Sequence, residues 1–435
     1  MSFARSALGR VYHGWWNVTA SFVCLMLIFG VPTMLLPFIY GPVIDEFGWT
    51  RAQVTGIASF KFAAAAFSAF ATGFLVDRLG VRFVVVACCF ITGIGMCGFL
   101  WVNDLPSFYA VGIVLGLSST AIIVALKTLV SRWFHRNQGL SLGCIMLGSS
   151  LAGILIPFVA VPLIEARGWR EAFAFMSLGI WGVGLPVFLL AARETPTSEE
   201  LACEIEGRPF EEFTPNQTRS HAKAQASLAS VVAMPMFWLI VCATFLTSFV
   251  DQSLNQHFIL FIDRDLGLGA ALAARAFSAT FVAGVFAKIG FGWLYDRTSI
   301  RGIQGCYLLM GLSVALAFPI TGAVSMFVFA LVRGVAHGGM LIKKAIFAKH
   351  CFGPVHLGKL IGIFTATASA GYAAGPWVVG WLYDQSGSYR PAFLFLLSLC
   401  LVSAALLVWV VPTYRNRLTR MASEESMTRI PDGSR

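Results

Sequence analysis

Apolar runs of about 20 residues recur along most of the chain, and they restrict its possible folds more than any other feature. A run of this length forms a helix that crosses the hydrocarbon core of a bilayer. Such a helix also satisfies its own backbone hydrogen bonds in the bilayer. Only 12% of the 435 residues are charged, which is about half the share in an ordinary soluble domain. The sequence therefore predicts an all-α membrane protein with twelve transmembrane helices.

A polar, Glu-rich interval divides the apolar runs into two sets of six. Because it contains few apolar residues, we interpret it as a solvated linker between two helical bundles. The predicted segments are a cytosolic amino terminus, a first six-helix bundle, the cytosolic linker, a second six-helix bundle and a cytosolic tail. Their bounds are 1–15, 16–192, 193–230, 231–412 and 413–435.

Short motifs of the first half return in the second half at a nearly constant offset. The segment Gly73–Arg78 (GFLVDR) returns 219 positions later as Gly292–Arg297 (GWLYDR), and Pro157 returns at the same offset as Pro376. Ordered matches at one offset are rare by chance, so we infer an internal repeat. Two halves related by an axis along the membrane normal are a known plan of secondary transporters.

The formal net charge is +10, but the basic residues lie mostly between the apolar runs and form no single patch. We therefore predict no nucleic-acid partner. Fifteen basic residues fall in segments that would be cytoplasmic with an inside amino terminus, and six fall in segments that would be external. Basic residues accumulate on the cytoplasmic side of membrane proteins. The bias predicts a multi-pass protein of the inner (plasma) membrane with both termini in the cytoplasm.

No pattern in the sequence is typical of a metal, cofactor or catalytic site. The ten cysteines lie mainly inside apolar runs and form no CxxC pair, so we interpret them as small packing residues. The segment Gly353–Leu360 has the spacing of a phosphate-binding loop, but Leu360 stands where Ser or Thr would bind Mg²⁺. We predict that the protein is not an enzyme, binds no metal or cofactor, and draws on an ion gradient for uphill work.

The segment Gly73–Arg82 (GFLVDRLGVR) resembles the signature that follows the second helix in transporters of the major facilitator superfamily. The resemblance extends over all twelve runs and implies two pseudo-symmetric six-helix bundles. We expect Gly73 to allow a close approach of helices, and the neighbouring charges to form latches that break when the halves rock. Ordinary surface ion pairs are the alternative. The latch residues are Gly73, Asp77, Arg78, Arg82, Gly292, Asp296 and Arg297.

Within the superfamily, the chain resembles the monocarboxylate and oxalate–formate porter group. Segments 132–143 and 375–390 carry the similarity, and 13–16 carries part of it. The resemblance implies that the first, fourth, seventh and tenth helices line a central cavity. It also implies a substrate contact at Lys288, where this group places an arginine. The carboxylate that the group has one turn earlier is replaced by Gly284, which we expect to leave room for a ligand.

Ionisable residues inside membrane spans are costly and usually face a cavity. Those of this chain are mostly basic, which favours an anionic substrate. Several of them share one face of the seventh or the tenth run at helical spacing. The substrate-binding candidates are Lys288, Arg333, His337, Lys344, Asn255, Tyr40 and Lys127, and the proton-coupling candidates are Asp251 and His257.

Structural roles remain open alternatives for some of these residues. Lys288 could extend toward the membrane interface, and His257 could be a hydrogen-bonded helix-end residue. Tyr40 could be an interfacial aromatic residue. Lys343 is expected to point away from the cavity and reach the membrane surface. Lys61, toward the external end of the second run, could attract anions there.

The sequence predicts a secondary active transporter that moves a small organic anion by alternating access between its halves. A proton-coupled monocarboxylate is the favoured substrate, because a buried carboxylate or histidine can take up a proton together with the anion. Exchange of dicarboxylates or organophosphates, export of drugs and a non-transporting membrane sensor are the alternatives. The expected partners are the anion, a proton and the lipid bilayer, and the protein is expected to be monomeric.

Overall fold

The computed structural model describes residues 12–134, 138–196, 228–352 and 357–428. Within these ranges nearly all residues are helical and no strand is formed. Eight helical segments of the described chain are long and apolar enough to cross a membrane, judged by length and composition. The fold is that of an all-α membrane protein, because helices are the elements that can bury apolar runs without leaving backbone groups unpaired.

The amino-terminal half has two helical stretches that are each too long for one crossing. Arg51–Gly98 bends at Gly80, and Gln138–Ala191 bends at Gly168. We therefore treat each stretch as two helices. The helices of this half are α1 (Gly14–Phe47), α2 (51–79), α3 (81–98), α4 (Leu105–Trp133), α5 (138–167) and α6 (169–191).

The carboxyl-terminal half has six long helices in its described residues, after a short helix at Leu228–Val232. The last of them continues past residue 412, where the sequence predicts the second bundle to end. The helices are α7 (Pro235–Asp265), α8 (Ala270–Thr298), α9 (Ile300–Ala315), α10 (Ala323–Ile346), α11 (Leu357–Ser386) and α12 (Tyr389–Thr428).

The backbone conformation repeats at the same offset as the sequence motifs. Among the described residues, six of the seven with a positive φ angle form three pairs that are 219 positions apart, and each lies at a connection between two helices. The pairs are Gly48 with Gly267, Gly80 with Ser299, and Gly168 with Gly387. The two halves therefore turn at equivalent positions, which is the pseudo-symmetry that the internal repeat predicts.

Two of these turns allow a matched test of stability. Gly80 (φ 82°, ψ 161°) and Gly168 (φ 78°, ψ 164°) both occupy a region that is essentially restricted to glycine. A Cβ atom at Gly168 would meet open space, whereas one at Gly80 would lie 2.6 Å from Oε1 of Glu194. That oxygen accepts a hydrogen bond from the backbone N–H of Val81, which holds it in place.

We expect G168A to lower the free energy of unfolding by about 1–3 kcal/mol because of backbone strain alone. G80A should lower it further, because the new methyl group also displaces the Glu194 carboxylate. Unfolding temperatures of the purified full-length variants in detergent measure both effects. Equal shifts for the two variants would mean that Glu194 does not restrict residue 80.

The contacts between the halves follow the pseudo-symmetry, because replacing each helix of one contact by its equivalent in the repeat gives another contact. α2 packs against α11, α5 against α8, and α1 against α7. Since α2 corresponds to α8 and α5 to α11 in the repeat, the first two contacts are equivalent. Below, the outer end is the end with the α1–α2 connection, and the inner end is the opposite one, following the orientation that the charge bias predicts.

Candidate substrate-binding site

Asp251 of α7 is the one buried carboxylate among the described residues. It faces two basic residues of α10. Nδ1 of His337 lies 2.8 Å and 3.0 Å from its two carboxylate oxygens. Nη2 of Arg333 lies 4.0 Å from Oδ1 of Asp251 and 3.4 Å from Oδ1 of Asn255. The two polar faces that helical spacing predicts on the seventh and tenth runs therefore meet in one cluster.

Arg333 has unused hydrogen-bonding capacity in this cluster. Its side chain has no exposed surface, yet Nε and Nη1 have no hydrogen-bond partner among the described residues. Nη2 donates to the backbone oxygen of Asp251 at 3.3 Å. A buried donor without an acceptor retains the penalty of its desolvation. A carboxylate or phosphate group could accept a charge-assisted hydrogen bond from either unused nitrogen.

Lys343 is buried and does not reach the membrane surface, contrary to the expectation from the sequence. Its Nζ atom donates to the hydroxyl of Thr247 on α7 and lies 3.3 Å from Sδ of Met340. The ring centroid of Tyr307 on α9 is 4.7 Å away. Helical spacing places residue 343 on a different face from residue 344, but other helices cover both faces of α10. Sequence reasoning missed this residue because that packing is not encoded in spacing.

Lys288 of α8 reaches toward the other half of the molecule. Its Nζ atom donates to the hydroxyl of Ser150 on α5, and its side chain is half-buried. Gly284, one turn earlier, does not leave the room for a ligand that the sequence suggests. A Cβ atom at Gly338 would lie 2.6 Å from the backbone oxygen of Gly284, so this stretch supports close packing of α8 on α10.

Lys127 and Lys344 bring positive charge from opposite halves. Lys127 of α4 is exposed and Lys344 of α10 is half-buried, and they lie close enough to interact electrostatically. In the described part of the chain, neither forms an ion pair with a carboxylate. Both residues are near the inner ends of their helices. A negatively charged solute that enters from the inner end would reduce the repulsion between them.

Tyr40 and His257 are engaged in contacts between helices. The hydroxyl of Tyr40 donates to Oε1 of Gln256 at 2.5 Å, which joins α1 to α7. The ring nitrogens of His257 lie 2.8 Å from the hydroxyl of Tyr389 and 2.8 Å from the backbone oxygen of Pro376. His257 therefore holds α7 against α11 and α12. The histidine that contacts the buried carboxylate is the one on α10.

At the inner end, the arginines of the predicted latches contact groups other than the latch carboxylates. Arg78 and Arg297 lie over aromatic rings of their own helices, at 4.8 Å and 4.0 Å. Arg82 donates to a backbone carbonyl of α6 at 3.2 Å. Asp77 is exposed and forms no ion pair within the described ranges, and the side chain of Asp296 lies outside them. The latches therefore stay a prediction.

The latch glycines do not lie at a close helix contact in this conformation. A Cβ atom at Gly73 or at Gly292 would meet no atom of the described residues within 4 Å, contrary to the expectation for Gly73. A different residue joins the inner end of the first half. Glu194, just after α6, accepts from the backbone N–H of Val81 at 2.6 Å and from Arg132 at 3.4 Å. It lies in the stretch that sequence reasoning treated only as linker.

Charged groups join the two halves at the outer end. The carboxylate of Asp384, at the end of α11, accepts from the backbone N–H groups of the first two residues of α2, both at 2.9 Å. The guanidinium of Arg51, which begins α2, pairs with Asp265 of α7 at 2.6 Å. Arg264 of α7 pairs with Asp45 of α1. These charged contacts hold the halves together at the outer end.

Loss of the Asp384 contact should make the outer end easier to open. We expect D384N to increase labelling by a membrane-impermeant maleimide at a cysteine introduced by L260C, because Leu260 lines a cavity of about 300 Å³ beside Arg51 and Asp384. The L260C protein and its E171Q derivative, which alters an exposed carboxylate, serve as controls. Labelling that is unchanged by D384N would contradict a role in outer closure.

Comparison with known proteins identifies the family. The profile of the Major Facilitator Superfamily matches residues 20–342 and 301–427. The chain therefore belongs to this superfamily, and it is a multi-pass membrane transporter rather than an enzyme. A bacterial homologue of the human lysosomal transporter Spinster, in an inward-facing and unoccupied conformation, has the same fold. The two are 16% identical with a TM-score of 0.71, and the alignment covers 93% of this chain and 96% of that one.

Two relatives indicate which part of the superfamily the chain resembles. Monocarboxylate transporter 12-B of Danio rerio is 25% identical over 374 residues, which cover 82% of this chain and 78% of the relative. The gallate transporter of Pseudomonas putida is 24% identical over 360 residues, which cover 78% of each chain. By name, both relatives transport carboxylic acids.

Proposed function

We propose that the protein transports a small organic anion by secondary active transport, and that a monocarboxylate moved together with a proton is its substrate. One observation carries the proposal: the buried guanidinium of Arg333 has two nitrogens without an acceptor beside the single buried carboxylate, Asp251, among the described residues. The names of the two relatives above support the same class of substrate.

Proton coupling follows from competition for one guanidinium group. Asp251 and the carboxylate of the substrate would both be attracted to Arg333 at the same time. Like charges in one site disfavour each other. Uptake of a proton by Asp251, whose Oδ1 atom lies 2.8 Å from Nδ1 of His337, removes that repulsion. Anion and proton therefore bind best together.

Alternating access requires the outer contacts to break while the inner end closes. The halves rock about the cluster, so that the site faces one side of the membrane at a time. We place the protein in the inner (plasma) membrane with both termini in the cytoplasm, because of the charge bias of its connections. We also propose that it functions as a monomer.

Uptake into proteoliposomes tests this proposal. Labelled lactate, pyruvate and gallate are offered to vesicles that contain the purified full-length protein, with and without an inward proton gradient. We expect saturable uptake of at least one acid and faster uptake with the gradient. Uptake that is no faster than in protein-free vesicles for any of these acids would refute the proposal of a monocarboxylate substrate.

Exchange of dicarboxylates or organophosphates is a second candidate function. The facing lysines, Lys127 and Lys344, favour it because they supply positive charge beyond what one carboxylate requires. A probable hexose phosphate transport protein of Chlamydia pneumoniae is 23% identical over 308 residues, which cover 64% of each chain. Vesicles preloaded with succinate or glucose 6-phosphate distinguish exchange from symport. An exchanger takes up the labelled compound faster into preloaded than into empty vesicles, even without a proton gradient.

Lys288 provides a further test of the site. We expect K288A to lower the initial rate of uptake by about tenfold, because it removes a charge at the contact between α5 and α8. S150A removes only the hydroxyl that Lys288 contacts, and it should have a smaller effect. A K288A protein with the rate of the unmodified protein would exclude a role of this lysine in transport.

A further inference from the structure

Lys61 of α2 is a fully buried basic residue without a counter-ion. Its Nζ atom donates one hydrogen bond of 2.6 Å, to Oγ1 of Thr33 on α1. That hydroxyl donates in turn to the backbone oxygen of Phe29 at 2.6 Å, so it is available to Lys61 only as an acceptor. An ammonium group has three donors. No carboxylate in the described ranges forms an ion pair with Lys61.

The helix that faces Lys61 is irregular at this depth. The segment Leu25–Gly30 in the middle of α1 is π-helical, and Thr33 follows it within one turn. Such segments inside α-helices are frequent at functional sites, and irregular backbone at membrane depth usually lines a cavity or lies buried in protein. α1 also packs against α7 of the other half. Lys61 therefore contacts the helix of the first half that packs against α7.

A short path of side chains leads from Lys61 to the Asp251 cluster. The next residue, Phe62, has its ring centroid 5.5 Å from that of Tyr372 on α11. Tyr372 interacts electrostatically with Asp251. Tyr372 of the second half therefore links the residue next to Lys61 with the cluster that contains Arg333.

We propose that Lys61 is a substrate-binding residue, which contacts the carboxylate of the bound anion from the first half while Arg333 contacts it from the second. This rests on the proposed function. An anion between two cations is attracted to both, so its binding stabilises the closed arrangement of the halves. Without it, Lys61 has no counter-ion and Arg333 is neutralised by Asp251 alone, so the basic groups oppose closure.

The test separates the charge of the substrate from its shape. Lactate, pyruvate, gallate and succinate are each compared with the corresponding uncharged amide as competitors of uptake by the full-length protein in proteoliposomes. For the transported acid, we expect K61M to weaken binding by about 10- to 100-fold. Binding of its amide should change by less than twofold. K61R keeps the charge and should retain most of the affinity for the acid.

A purely structural role of Lys61 predicts a different result. In that case K61M would weaken acid and amide alike and lower the unfolding temperature of the empty protein. We expect the unfolding temperature to be maintained or raised, because the variant removes an unpaired buried charge. T33V, which keeps the lysine but removes its acceptor, should weaken binding of the acid less than K61M does.

The outcomes distinguish this inference from the proposed function. If lactate, pyruvate and gallate are not taken up, the proposed monocarboxylate function fails. If succinate is not taken up either, the role of Lys61 fails with it. If an acid is taken up and R333Q abolishes its uptake, but K61M leaves its affinity unchanged, the role of Lys61 alone is overturned. Equal losses of acid and amide binding in K61M overturn it as well.

Discussion

Replacement of Arg333 by glutamine should reduce the initial rate of acid uptake by about a hundredfold or more. The guanidinium is fully buried and has nitrogens without partners, so it offers the anion a charge and an unused hydrogen-bond donor. Loss of one partner of a buried, hydrogen-bonded charge pair typically costs about 2–5 kcal/mol. Uptake of the labelled acid into proteoliposomes, at a concentration below half-saturation, measures this loss.

Two variants make the result specific. R333K keeps the charge but not the forked geometry, and it should retain a small part of the rate. R275Q removes an exposed arginine near the start of α8, and it should transport at the rate of the unmodified protein. An R333Q protein that transports normally would exclude the buried cluster as the binding site.

Replacement of Asp251 by asparagine should abolish proton-driven accumulation while exchange of the anion continues. Asp251 is the carboxylate that contacts His337 and lies near Arg333, so its proton is the one that can move with the substrate. A one-to-one symporter accumulates its acid up to about tenfold for each pH unit of gradient. We expect no accumulation above equilibrium in D251N, but measurable counterflow in preloaded vesicles.

Asp104 supplies the matched control for this experiment. It caps α4 at an exposed connection, where hydrogen bonds from the side chain and the backbone N–H of Ser107 lower its pKa. The carboxylate is therefore ionised at the pH of the assay, and D104N removes one negative charge far from the cluster. D104N should accumulate the acid normally. Accumulation by D251N to the same level would assign the coupling proton to another group.

The fold could be predicted from the sequence because its signals are local. Each apolar run specifies a helix by itself, and the 219-residue offset that relates the two halves is visible in short motifs. Helical spacing also predicts that Asp251 and Asn255 share one face of the seventh run and that Arg333 and His337 share one face of the tenth. The resemblance to the superfamily implies that both helices line the cavity. The structure brings these four together because α7 and α10 present one polar face each, and burial pairs those faces.

The remaining parts of the site depend on packing that spacing does not encode. Lys343 is enclosed by three helices although its position on α10 suggested an exposed face. Gly284 serves a helix contact where a cavity was expected. Both errors have the same cause. The rotation of a helix decides which of its faces is covered, and that rotation is set by the neighbouring helices rather than by the spacing within its own sequence. Contacts between distant segments, such as Asp384 with the start of α2, leave no pattern in the sequence around either partner.

The surplus of buried cations over buried carboxylates has an electrical consequence. Arg333, Lys61 and Lys343 are buried, and Asp251 alone opposes them among the buried acidic groups of the described chain. An elementary charge that crosses a potential of 100 mV changes its energy by about 2.3 kcal/mol. Voltage across the bilayer therefore acts most strongly on the vacant carrier, whose fixed charges are unbalanced. A bound anion offsets part of that imbalance, so the return of the vacant carrier should be the voltage-dependent stage of the cycle.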